Sequence, residues 1–272
     1  MRLGIFDEAR RSEGIGIEVV YRPVSALGKG EACQLKGLIN QGVSAIIVTP
    51  GSPGDVTPLI NEAEERGIRV VCITTDAPQS NRSSVVCVDA ALNGRLAAEL
   101  MARFVPAGAK VAVITGMLEA EEHRLKTDSF CETFRVSCVG GKVAAVVEGH
   151  ESARQSYRKT AALLAEHPDL QGIYVNTVNC LPVCRALHGG IADCHIQLIT
   201  TDLFPEMLPY FQDGTIAASI YQDPYLQGQT AVRLLVDLLS NSAAVPAARY
   251  LNSGIVLRSN LHLFREARTA QE

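Results

Sequence analysis

Apolar runs without polar alternation, each followed by a helical stripe and a turn, recur along this chain and restrict what it can fold into. Residues 43–49 form a continuous run rich in β-branched side chains, stopped by Pro50-Gly51-Ser52-Pro53. Residues 56–66 carry a helical stripe that ends at Gly67, and residues 68–74 form the next apolar run. Strands at roughly 25-residue spacing, apolar on both sides and separated by helices, predict βαβ units and a parallel sheet covered on both faces.

The same reading extends over the rest of the chain. The first dozen residues look like the back half of a helix, residues 15–22 a strand and residues 31–40 a helix. A polar loop at 76–83 leads to a short strand at 84–88, which closes on Asp89. A helix from Ala90 follows, then strands at 110–115, 142–148 and 172–176 with helices at 118–135, 152–167 and 181–187, the last leading to Gly189-Gly190. Residues 198–202 and 216–221 form two further strands around a turn at Asp213-Gly214, residues 225–239 form a helix, and residues 249–256 give one more strand before a solvated tail beyond Arg265. One βα set precedes Asp89 and another follows it, which predicts two α/β lobes with a cleft between them.

Composition limits function. The 272 residues are 47% hydrophobic and 20% charged, enough for packed cores and against disorder. A net charge of −4 with no basic stripe makes the chain by itself a poor nucleic-acid binder. Eight cysteines occur without a CxxC or zinc-finger spacing, so they read as free thiols and point to a reducing cytoplasm. The opening MRLGIFDEARRSEG lacks the apolar segment of a signal peptide, and no run is long enough to span a membrane, which also predicts a cytoplasmic location.

Motifs for chemistry are missing. There is no P-loop, no GxGxxG, no GxSxG elbow and no HExxH, and the six histidines are scattered, His123 alone sitting in a context of interest. No catalytic residue, metal ligand or cofactor is expected. Polar residues instead stand where apolar strands stop: Asp76, Asn176, Asp202 and Gln222. Ligands of open α/β sheets bind beyond the carboxyl ends of the strands. A carboxylate accepts from two adjacent hydroxyls, while an amide both donates and accepts, so the set suits a polyhydroxylated ligand. Asp202→Ala is expected to abolish ligand-induced thermal stabilisation and to leave the unliganded melting temperature nearly unchanged.

These residues carry a resemblance. ITTDAPQSNRSSVVCVDAALNGRLAAEL (73–100) resembles a segment of the LacI/GalR regulators and the related periplasmic sugar-binding proteins, and EEHRLKTDSF (121–130) their R-x-x-G-F helix start. GIYVNTVNCLPVCRAL, TTDLFPE, DGTIAASIYQDP and LNSGIVLRSNL are similar to further segments of that family. The resemblance implies a periplasmic-binding-protein type I fold, each lobe a parallel sheet flanked by helices. It implies lobes of 1–88 with 223–251 and of 89–222 with 252–265, the chain crossing near Val88-Asp89, Gln222-Asp223 and Asn252. It also implies a ligand set of Asp202, Gln222, Asp76, Ser80, Lys126 and either Asn176 or Asn179. Lys126 and Ser129 stand where the family carries Arg and Gly.

The resulting expectation is the effector-binding core of a LacI-type regulator. A sugar or polyol would close the cleft of a homodimer and modulate binding to operator DNA through a helix-turn-helix domain this chain does not contain. The alternative is the sugar receptor of an ABC importer.

Overall fold

Each apolar run becomes a strand where helices cover both of its faces. The computed structural model describes residues 1–12, 14, 16–188, 196–241 and 244–264. In chain order the elements begin with α1 (Arg2–Arg11), α2 (Glu31–Gln41), β1 (Ala45–Val48), α3 (Pro53–Glu65), β2 (Arg69–Ile73) and β3 (Ser84–Val88). Next come α4 (Ala90–Phe104), β4 (Lys110–Thr115), α5 (Glu121–Ser137), β5 (Lys142–Glu148), α6 (Ala153–Glu166), β6 (Leu170–Val175) and α7 (Leu181–His188). The chain continues with β7 (Gln197–Thr201), α8 (Leu208–Gln212), β8 (Ile216–Tyr221), α9 (Pro224–Ser240), β9 (Arg249–Leu251) and β10 (Gly254–Val256).

Local chemistry sets several of the boundaries. Gly42, at φ 71°, accepts the left-handed turn that ends α2, a conformation only glycine adopts freely. Pro53 opens α3 and Pro224 opens α9, where a missing N–H is harmless. The Asp223 carboxylate accepts from the Leu226 N–H at 3.0 Å and caps α9.

The chain divides into two compact units. The first holds Met1–Asp89, Glu119–Glu122 and Asp223–Asn252; the second holds Ala90–Leu118, His123–Gln222 and the chain from Ser253. In the first unit four parallel strands run in the order β1-β2-β3-β9. Successive β2 side chains point to opposite faces. Val70 and Cys72 pack with Leu35, Ile39, Val56 and Ile60 of α2 and α3, while Val71 and Ile73 pack with Ala231 and Leu234 of α9. Helix α1 lies close against α9: a Cβ at Gly4 would overlap the Tyr225 carbonyl, and one at Gly228 would overlap the Met1 carbonyl.

The second unit has six strands in the order β10-β8-β7-β6-β4-β5, parallel except for β10, which runs antiparallel to β8. Helices again cover both faces. Ala112 and Ile114 of β4 join a core with Leu163, Val183 and Phe211, and Val111 and Val113 join one with Met101, Phe130 and Phe134. The strand order reverses between β4 and β6, so these strands flank a topological switch point.

The two-lobed α/β fold with parallel sheets flanked by helices is as expected, with three local corrections. Residues 16–22 form no strand, and Ile15 lies outside the described residues. A strand exists only through its ladder, and β1, the edge nearest in sequence, pairs with β2 alone. Helix α5 starts at Glu121 instead of residue 118, and the Leu118 N–H before it donates to the Glu148 carboxylate at 2.7 Å. The single strand expected at 249–256 is two strands: β9 pairs with β3 in one sheet and β10 with β8 in the other. Gly189-Gly190 and the tail beyond Arg265 fall outside the described residues.

Candidate functional site

The chain leaves β7 through Asp202, held at φ 62°, a left-handed conformation that strains any residue other than glycine. The strain is fixed by neighbours: the Asp202 N–H donates to the Ile220 carbonyl at 2.8 Å, and Ser219 Oγ donates to the Asp202 carbonyl at 2.5 Å. This turn aims the carboxylate at the end of β8. Oδ1 accepts from the Gln222 backbone N–H at 2.9 Å, and Oδ2 accepts from Gln222 Nε2 at 3.1 Å. Both groups are buried, Asp202 at 7% and Gln222 at 2% exposure. The two strand-end residues thus form one preorganised pair.

Sequence reasoning passed over the next member. Asn93, in the first turns of α4, donates from Nδ2 to Gln222 Oε1 at 3.3 Å and is itself 1% exposed. An amide inside a helix followed by Gly94 was the available signal, since asparagine disfavours helix interiors unless its side chain has a task.

At the neighbouring strand end Asn176 follows β6 and is fully buried. Its Nδ2 donates to the His123 carbonyl at 3.1 Å and to Thr127 Oγ1 at 2.8 Å, while Oδ1 is buried without a hydrogen-bond partner. Both donors are therefore committed to α5, and only an acceptor remains to offer. The same contacts fix the turn of α5 that carries Lys126, which is 1% exposed. Asn179 stands apart, half-buried, with Nδ2 donating to Ser156 Oγ at 3.3 Å. Of the two asparagines left open by the sequence, Asn176 is the one joined to the Lys126 turn.

His123 completes this corner. Its Nδ1 lies 3.1 Å from the Met117 N and 3.3 Å from the Met117 carbonyl oxygen, and its Nε2 faces Glu151 Oε1 at 3.7 Å. Glu151 Oε1 in turn accepts from Thr177 Oγ1 at 2.6 Å. The network ties the segments that follow β4, β5 and β6 to the first turns of α5. Among the described residues no group of His, Cys, Asp and Glu could hold a metal ion.

Asp76 and Ser80 lie in the first unit. Arg82 grips Asp76 with both Nε and Nη2, the latter at 2.6 Å to Oδ2, and donates from Nη1 to the Ala247 carbonyl at 2.9 Å. That hydrogen bond to Asp76 raises the already high pKa of Arg82. Ser80 Oγ donates to the Ala77 carbonyl at 2.7 Å and closes the loop on itself. Arg82 was not singled out from the sequence, although it falls within the 76–83 polar loop.

A two-lobed α/β fold with parallel sheets flanked by helices is the periplasmic-binding-protein-like class of fold. The chain belongs to the Periplasmic binding protein domain family, which matches residues 6–243. It is similar to the ribose import binding protein RbsB of Bacillus subtilis, 25% identical over 88% of this chain and 76% of that protein. It is similar to the D-allose-binding periplasmic protein of Escherichia coli, 20% identical over 90% of this chain and 81% of the relative. The structure of GanP, a glucose-galactose binding protein from Geobacillus stearothermophilus, matches it with a TM-score of 0.85 at 28% identity, covering 95% of this chain and 92% of that one. These relatives are named as binding proteins and not as enzymes. None is named as a transcription regulator, and they lend no support to operator DNA or a homodimer as partners.

The cytoplasmic location expected from the sequence is overturned by these relatives, one named for import and one as periplasmic. The structure explains why the thiols misled. Cys72, Cys87, Cys138, Cys180 and Cys184 are buried, and desolvation pushes the Cys72 and Cys87 thiols up to about 12. They serve as small core hydrophobes, and a thiol with so little thiolate reports packing and not the redox state of a compartment. No helix among the described residues is long and apolar enough to cross a membrane.

Proposed function

We propose that this chain is the sugar-binding receptor of an import system, with an aldose such as a pentose or hexose as its ligand. The relatives named for ribose import and allose binding favour this reading over the effector core of a regulator. The observation that carries it is the Asp202–Gln222 pair. Gln222 already holds the Asp202 carboxyl at fixed geometry, so the pair can meet a sugar hydroxyl with little reorganisation. Asn176 Oδ1, buried with its own donors committed, would accept a further hydroxyl. Lys126 would donate from the α5 turn that Asn176 fixes. The two compact units are assigned as the two lobes of such a receptor, and Asp76, Ser80 and Arg82 as the order-giving loop of the first.

The test is thermal unfolding with D-ribose, D-allose, D-arabinose, D-galactose and D-glucose, each at millimolar concentration, beside a non-sugar control. At about 100-fold excess over Kd, binding stabilises by about 2.7 kcal/mol, which is about 5–10 °C in Tm for a protein near this size. A shift of that order with one or two of these sugars is the expected result. Equal melting with all of them would overturn the reading.

A further inference from the structure

Asp202 sets a direction for every hydrogen bond behind it. Both Asp202 carboxyl oxygens accept from Gln222, so Gln222 turns its Nε2 toward Asp202 and keeps Oε1 for another donor. That donor is Asn93 Nδ2 at 3.3 Å. The Asn93 amide is thereby locked as well: its nitrogen faces Gln222, and its oxygen is left as an acceptor. Asn93 Oδ1 is buried and has no hydrogen-bond partner in the protein. A buried acceptor left unmet is destabilising until a donor reaches it.

The geometry points to Asn93 as a further ligand-contacting and positioning residue: Oδ1 takes a hydroxyl of the sugar, and Nδ2 fixes the Gln222 amide that orients Asp202. The assignment rests on the sugar-receptor reading above. Two contributions come from one side chain. Loss of Nδ2 would free Gln222 to rotate its amide, and loss of Oδ1 would remove one hydroxyl contact. The relay also implies a selectivity: the hydroxyl that meets Asn93 acts as donor, whereas those meeting Lys126 act as acceptors. An analogue lacking that one hydroxyl would bind wild type less well and would lose less than the parent sugar on substitution at position 93, since only the positioning of Gln222 is then at stake.

The experiment uses the full chain and whichever of D-ribose, D-allose and D-galactose stabilises it, followed by the monodeoxy analogues of that sugar. Affinities are measured by calorimetry for wild type, Asn93→Leu and Asn93→Asp. Asn93→Leu should weaken the parent sugar by about tenfold or more, and for one deoxy analogue alone that penalty should be several-fold smaller. Asn93→Asp, similar in shape but unable to donate to Gln222 Oε1, should bind at least as weakly as Asn93→Leu. A packing role predicts the opposite ranking and the same penalty for every analogue, and either result would overturn the assignment. If the variants do not fold, wild type with 15N-labelled Asn and Gln decides: the Asn93 side-chain NH2 signal should shift with the parent sugar and shift clearly less with one of its monodeoxy analogues. An unmoved signal under saturating sugar overturns it too. A wild type that answers no sugar removes the receptor reading itself, an outcome distinct from a responding wild type whose Asn93 variants bind equally well.

Discussion

Asp202 shows how far a single residue can be read in advance. An acidic residue closing an apolar run identifies a strand end, and the adjoining strand ending on Gln222 supplies its partner. What the sequence does not display is that the two side chains bond to each other, because that depends on the left-handed turn at 202. This changes one expectation. Asp202→Ala removes the acceptor for two buried donors of Gln222, so the unliganded protein should also lose about 1–3 kcal/mol, or about 2–12 °C in Tm. Differential scanning calorimetry without sugar checks this, and a Tm within a degree of wild type would show that water replaces the carboxylate there. Asn93 and Arg82 escaped notice for a related reason: each acts through a partner distant in sequence or fixed only by a turn, Gln222 in one case and Asp76 with the Ala247 carbonyl in the other.

Helices and strands were far more legible than their edges. Periodicity located the buried runs because burial on both faces is a property of the run itself. It failed at residues 16–22, whose β-branched content suits a strand but which find no ladder, and at 249–256, where one apolar stretch is shared between two sheets. Pairing is a tertiary fact, and a local pattern cannot hold it. The pairing of α1 with α9 is equally non-local and offers a clean test. Arg233 donates from Nε and Nη2 to Glu8 at 2.7 and 2.9 Å, and this guanidinium holds the Glu8 carboxyl below its usual range despite the opposing effect of burial. A carboxyl whose pKa is depressed on folding stabilises above its unfolded pKa, near 4.3, and loses that contribution as pH falls through the folded value. Arg233 is half-exposed, so Arg233→Gln should cost only about 0.5–1 kcal/mol at pH 7. Melting curves across pH 2–7 should show wild type and variant converging at the acid end. A constant gap at all pH values would mean the arginine acts through its aliphatic stem.

At the scale of the molecule the thiols give a global readout of packing. Cys33 is exposed, Cys131 half-buried and the other five described thiols are buried. A brief iodoacetamide pulse on the native protein, followed by peptide mass spectrometry, should label Cys33 at least tenfold faster than Cys72 or Cys87, whose thiolates are suppressed by burial. Comparable labelling would mean that the first unit opens readily, since both lie in its central strands. The connectivity of that unit has a consequence for the order in which the protein can be made. Helix α9 and strand β9, which complete the sheet holding β1, β2 and β3, come from Asp223–Asn252, after nearly all of the second unit. During synthesis the first ninety or so residues emerge with one face of their sheet bare and α1 without its partner. The second unit, encoded in the middle, lacks only β10 and the segment from Ser253 that carries it by the time α9 appears. Residues 1–89 therefore wait through the making of nearly all of the second unit for their own last elements, and over that time they are the part of the chain most in need of a chaperone.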